Sequence, residues 1–384
     1  MPLYPVYAVL FIETGLSAAE ISSLFAIWSV TGFVLEVPSG VWADVFSRRW
    51  LLTIAPALGG VGFALWTFVP SYLAFAVGFV LWGAGSAMQS GTQQALVYEE
   101  LKRVGAAGAY ARLTGRAEAA STAGQLIATA LTGPVLAAGG YEAVGVASVA
   151  TTLLAAAVGR TLPEARATRR PRAGRGTRRA RRSRGTHGRV LRRGLAEVRR
   201  SRSVLRVLVL AAVLMGVSAI DEYVPLLVRS TGVGPTALTL LVGLMTVGFA
   251  VGGLFAGRGT RLLAPALAAA AGCLAAGALS GSPIGIPLVA VAFGVFQWAH
   301  AAAEARLQDQ ISDDARATVT SLAGLGTELV GIAVFAGYAA GSLWLGPGPL
   351  FALVAVPYVI VALVLARGSR RDPRGDPRGD PRRD

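Results

Sequence analysis

Asp221 and Glu222 are adjacent carboxylates set among apolar residues, a placement that suits proton or cation chemistry. Neighbours on a helix point about 100° apart, so at least one of the two can face an interior cavity. Two carboxylates this close cannot both ionise cheaply where water is scarce, so the pair can take up and release a proton. The other reading leaves them near the membrane surface, solvated beside Arg229. Glu328 lies near the middle of a later apolar run, either as a cavity-facing proton or cation site or as a packed, hydrogen-bonded glutamate. Glu118 has Arg112 and Arg116 nearby in sequence, and a structural ion pair is its expected role, with the cavity as the alternative. Gln89, Gln93, Gln125 and Gln297 add polar groups to apolar segments. His300, one turn before Glu304, can titrate near neutrality, although a lone histidine in a helix bundle is more often a helix–helix hydrogen bond. Tyr4, Tyr7, Trp28 and Tyr223 could line an amphipathic pocket or act as interface anchors.

Other chemistries have no residues to carry them. The chain has one cysteine, Cys273, and two histidines, His187 and His300. An intramolecular disulfide or a cysteine-based metal site is excluded. There is no Gly-x-x-x-x-Gly-Lys-Ser/Thr phosphate loop and no nucleophile–base constellation. The expectation is a protein that is not an enzyme, holds no cofactor and takes its energy from an ion or substrate gradient.

The elements that must position these groups are membrane spans. Of 384 residues, 54% are hydrophobic and only 15% charged, with a mean hydropathy of +0.57. A soluble chain keeps roughly a quarter of its residues charged. The apolar residues fall in blocks of about twenty, the length that crosses ~30 Å of hydrocarbon at 1.5 Å per residue. The blocks read as twelve spans, at 2–14, 18–40, 50–69, 72–97, 110–137, 141–159, 204–228, 236–257, 261–280, 284–305, 315–343 and 349–366. The first is short, which suggests a true start upstream of Met1 or a bilayer that adapts. No cleavable signal peptide is evident.

Basic residues mark one side of the membrane. Arg48 and Arg49, then Lys102, Arg103 and Arg112, then Arg160 to Arg206, then Arg258 and Arg261, then Arg306 and Arg316, then the tail all fall in alternate connections. The intervening connections hold no Lys or Arg except Arg229. The asymmetry places both termini and the central linker in the cytoplasm. It also accounts for the net charge of +15 without nucleic-acid binding, because the charge flanks membrane segments. Residues 160–203 form an Arg-rich linker that cannot build a core. A short amphipathic helix through Val190, Leu191, Leu195 and Val198 would lie on anionic lipid of the inner leaflet. Residues 367–384 form a low-complexity tail that repeats Asp-Pro-Arg-Gly. Residues 1–159 and 204–366 each carry six spans and echo one another. Gly15 and Gly40 match Gly232 and Gly257, and Ala111-Arg112 matches Ala315-Arg316.

Between the second and third spans runs Gly40-Val41-Trp42-Ala43-Asp44-Val45-Phe46-Ser47-Arg48-Arg49. With twelve spans and the long central linker, it resembles the major facilitator superfamily, whose loop signature is Gly-x-x-x-Asp-basic-x-Gly-basic-basic. Gly40, Asp44, Arg48 and Arg49 match; Val45 stands for a basic residue and Ser47 for a glycine. The resemblance implies an all-α membrane protein of two pseudo-symmetric six-helix bundles. It also implies a gate in which Asp44, near the N-terminus of the third helix, works with Arg48 or Arg49. The plain alternative is a topogenic loop. Glu36, one turn before this loop, is expected to support the gate. Gly124, Gly133-Pro134 and Gly139-Gly140 approximate a Gly/Pro-rich fifth helix found in exporters of the family.

The expected function is secondary transport of a small molecule by a monomer in the inner (plasma) membrane. Proton-coupled efflux of an amphipathic or cationic compound is the leading form. Uptake of a metabolite, or a sensor or scaffold that transports nothing, are the alternatives.

Overall fold

A computed structural model describes residues 1–89, 92–164, 202–259, 262–311 and 316–370. Its elements are helical. A 3₁₀ turn at Tyr4–Val6 leads into α1 (Tyr7–Glu13). Then come α2 (Ala18–Val45), α3 (Arg48–Phe68), α4 (Tyr72–Gln89), α5 (Thr92–Arg103) and α6 (Tyr110–Thr161). The second half holds α7 (Arg202–Val217), a 3₁₀ turn (Ser218–Tyr223), α8 (Val224–Ser230), α9 (Pro235–Leu254) and α10 (Leu263–Leu279). It ends with α11 (Ile286–Gln310), α12 (Arg316–Gly341) and α13 (Pro347–Arg370).

Nine helical stretches among the described residues are long and apolar enough to cross a membrane. One of them, residues 107–161, crosses twice. Gly139 leaves helical geometry at φ −140° and Gly140 takes φ +64°, so the chain reverses there. A side chain at Gly140 would be strained in that left-handed conformation. Two shorter apolar helices, Tyr4–Glu13 and Leu263–Leu279, complete the expected twelve.

Local chemistry sets the helix ends. Ser17 caps α2 through a reciprocal box: its hydroxyl accepts from the Glu20 amide, and its own amide donates to Glu20 at 2.8 Å. Such a box satisfies two amides that a helix start leaves free. Ser47 caps α3 by accepting from the Trp50 amide. The second helix continues past the expected boundary at residue 40 to Val45, and the Phe46 amide closes its last turn by donating to the Trp42 carbonyl. Asp44 lies in the last turn of α2, because α2 runs to Val45, which corrects the expectation of a loop position near the N-terminus of the third helix. The serine that replaces the family glycine supplies the cap instead.

The helices pack as two bundles whose inner faces meet along α2 against α12, α6 against α9, and α1 against α8. Tyr7, Phe11, Phe25, Trp66 and Phe79 form a buried aromatic cluster in the first bundle. The outer faces are apolar and uncovered. On α3, Trp50, Ile54, Val61 and Phe68 are 50%, 42%, 52% and 59% exposed at helical spacing. An exposed stripe of that kind is the face a membrane helix turns to lipid.

Candidate functional site

The second bundle begins with a broken span: α7 gives way to the 3₁₀ turn that holds Asp221 and Glu222, and Pro225 lies at the start of α8. In the first bundle, Pro5 lies in a 3₁₀ turn that leads into α1. An interrupted span points to a binding site, because non-helical backbone at membrane depth is tolerated where it lines a cavity.

A cavity of about 790 Å³ lies at this place, between the bundles. Tyr4, Tyr7, Glu118, Thr122, Gln125, Asp221, Glu222, Thr246 and Gln297 supply its polar and aromatic wall. Phe249, Met245, Val242 and Leu126 supply apolar wall. Among the described residues, no Lys, Arg or His lines it. The lining runs from Tyr4 and Glu222 to Gly115 near the start of α6 and Leu254 at the end of α9, so its mouth lies on the basic side.

The opposite side is closed by contacts across the bundles. The Tyr7 hydroxyl donates to Glu222 in a short hydrogen bond. Ser22 Oγ and the buried Tyr223 hydroxyl lie 2.7 Å apart. Above them, Arg229 pairs with Glu13 at 2.6 Å, with Tyr141 beside the pair. Asp221 and Glu222 are half-buried in the cavity wall. Arg229 is engaged with Glu13, so the reading in which the carboxylate pair is solvated beside Arg229 does not hold.

Glu118 corrects a second expectation. Among the described residues it makes no ion pair with Arg112 or Arg116, and it lines the cavity. Side chains two or six positions apart lie on different faces of a helix, so neither arginine can meet it.

Gln125 and Gln297 join the cavity, while Glu36, Gln89, Glu328 and His300 lie outside its wall. Glu328 takes a short hydrogen bond from Ser29 Oγ, tying α12 to α2 across the bundles. His300 is half-buried, with Nε2 3.7 Å from Glu304 and Nδ1 buried without a partner. Glu36 and Gln89 are exposed. In the loop signature, the side chains of Gly40 and Asp44 lie outside the described residues. Arg48 pairs with Glu99 at 2.6 Å, and its amide donates to Glu164 at 2.8 Å. Ser47 also donates to Glu164. The described part of the motif is thus bound within its own bundle, to α5 and to the end of α6. The expected amphipathic helix near Val190 and the tail after Arg370 lie outside the described residues.

Sequence reasoning missed Glu13, Glu99 and Glu164 as partners. Glu13 had a readable signal, since it stands beside the base-poor connections where Arg229 is the lone cation.

No curated protein matches this chain at significance. Solved structures share the architecture. A crystal structure of the nucleoside transporter NupG has a TM-score of 0.67 and 14% identity, covering 95% of this chain and 94% of the other. The D-xylose-proton symporter has 0.63 and 17%, covering 94% and 91%. A bacterial homologue of the iron transporter ferroportin, in an inward-facing state, has 0.65 and 15%, covering 96% and 93%. At such identities the likeness shows the fold. The sequence model of the Major Facilitator Superfamily matches residues 1–332. With its apolar spans, its cavity between two bundles and this match, the chain belongs to the major facilitator superfamily and is a multi-pass membrane transporter.

Proposed function

We propose that this transporter carries a small cationic or amphipathic molecule by alternating access and exports it in exchange for protons. The observation that supports this is the cavity's charge: Glu118, Asp221 and Glu222 line it, and no basic residue does among the described residues. In a wall of low dielectric, carboxylates favour a cation strongly, and a proton competes for the same groups. Export against proton entry follows if each ligand displaces the other.

The proposed cycle uses the contacts across the bundles. In the form described here the cavity opens on the basic side, which the positive-inside rule makes cytoplasmic, with both termini there and the plasma membrane as its site. Closing that side requires Glu13–Arg229, Tyr7–Glu222 and Ser22–Tyr223 to part on the other. Residues 1–159 and 204–366 are the two bodies that rock, 160–203 tethers them, and 367–384 is a tail. Gly40, Asp44, Arg48 and Arg49 would bear on the basic-side closure. Glu328, whose partner Ser29 lies on the opposite bundle, would report closure there. Gly139 and Gly140 serve the turn between two spans, so direction rests on the cavity's charge and not on them. The symporter among the structural relatives keeps proton-coupled uptake as the second reading.

Reconstituted vesicles test the proposal with tetraphenylphosphonium as the probe. An imposed pH gradient is expected to drive its movement, and Glu222→Gln or Asp221→Asn to lower that movement about tenfold or more, the scale of losing one charge-assisted contact. Movement that ignores the gradient and survives both changes, together with Glu328→Gln, rules out proton coupling.

A further inference from the structure

The lipid-facing stripe of α3 ends on the basic side in a second concavity. Trp42, Phe46, Ser47, Trp50, Ile54 and Met88 line it, and it holds about 680 Å³. Phe46 and Trp50 are 58% and 50% exposed, although both are large and apolar or nearly so. Because Ile54, Val61 and Phe68 continue the same uncovered face, the groove opens toward hydrocarbon and not toward the transport cavity.

A cation stands at its rim. The end of α6 approaches the start of α3 closely: a Cβ at Gly159 would lie 2.6 Å from the Leu52 carbonyl oxygen. That approach sets the next residue, Arg160, with its guanidinium 5.6 Å from the centre of the Trp50 ring. A guanidinium over an indole face is attracted by the ring and held in place, with its edge still able to bind an anion. Two nearby acids among the described side chains are already engaged. Glu164 accepts from Ser47 and from the Arg48 amide, and Glu99 pairs with Arg48. Arg160 therefore stands at the rim without a carboxylate partner among the described residues.

We propose that this groove binds one anionic phospholipid, its acyl chain against Trp42, Phe46, Ile54 and Met88 and its phosphate on Arg160. The position matches the chemistry on both counts: apolar wall at hydrocarbon depth, cation at headgroup depth. The site is separate from the transport cavity and touches the signature loop at Ser47. A bound lipid would hold together the ends of α2, α3 and α6.

Brominated lipids test the site, since bromine on an acyl chain quenches only nearby indoles. The Trp50 signal is taken as the difference between the full-length wild type and Trp50→Phe in mixed bilayers. Dibrominated phosphatidylglycerol is expected to quench that signal at about fivefold lower mole fraction than dibrominated phosphatidylcholine, the scale of one arginine at an anionic surface. Arg160→Gln is expected to erase the difference while melting at the wild-type temperature. Equal quenching by the two lipids overturns the proposal, as does a preference that persists in Arg160→Gln. Should Arg160→Gln not fold, native mass spectrometry of the wild type decides instead. One retained phosphatidylglycerol, absent from Trp50→Ala, supports the site; retention by both, or by neither, refutes it.

Discussion

At the scale of single residues, the cavity divides its acids by their partners. Glu222 is tied to Tyr7 across the bundles, while Glu118 lines the wall and makes no ion pair among the described residues. An acid that holds the bundles together is suited to couple binding to movement, and a free one to attract the cargo. Glu118→Gln is expected to weaken binding of tetraphenylphosphonium about tenfold and to leave a neutral aromatic analogue unchanged, as titration of the detergent-solubilised protein would show. Equal weakening of both ligands would mean that Glu118 shapes the cavity and does not select charge. Tyr7→Phe keeps the aromatic packing but removes the hydroxyl that donates to Glu222. It is expected to leave binding of the cation intact and to change the pH dependence of its movement.

At the scale of helices, close packing depends on glycine where two backbones meet. A Cβ on Gly252 would lie 2.0 Å from the Gly294 carbonyl oxygen, and one on Gly248 would lie 2.4 Å from that of Ala290. These contacts join α9 to α11, the small-residue packing that stands in for hydrophobic association inside a membrane. Gly253, the next residue, has nothing within 4 Å of such a Cβ. Gly252→Val should therefore cost about 1–3 kcal/mol or more through overpacking, and Gly253→Val far less. Melting of the two purified variants in detergent checks the contrast; equal loss in both would place the effect in helix propensity and not in packing.

At the scale of the whole molecule, the closed side is held by few contacts. Glu13 and Arg229 are 40% and 38% exposed, so their pair contributes modestly on its own. Its effect is on the balance between two conformations, where a small difference shifts populations. Glu13→Arg is expected to open the base-poor side through repulsion with Arg229, and the swap with Arg229→Glu to restore closure. Labelling of a cysteine placed at Ser22, in protein whose Cys273 is replaced by Ala, would read this as faster modification in the single variant and recovery in the swap. Failure of the swap to recover would show that the pair does not act as a latch.

The spans, their order and the acid pair were readable along the chain, because block hydropathy and alternate basic connections are properties of local sequence. Ser17 with Glu20, and Gly139 with Gly140, mark helix ends through capping and backbone freedom that act within a few residues. The separation of Glu118 from Arg112 and Arg116 follows from helical angle alone and could have been read. What neighbours a side chain meets across the bundles is different. Tyr7 meeting Glu222, Glu13 meeting Arg229 and Ser29 meeting Glu328 join residues more than two hundred positions apart. No local rule sets those distances; they follow from how two six-helix bodies lean together. The amino-acid sequence by itself determined that this chain crosses the membrane about twelve times with its charge on one side. Only the tertiary structure decided which acids share a cavity, because that depends on helix rotation and on which side of the molecule is closed.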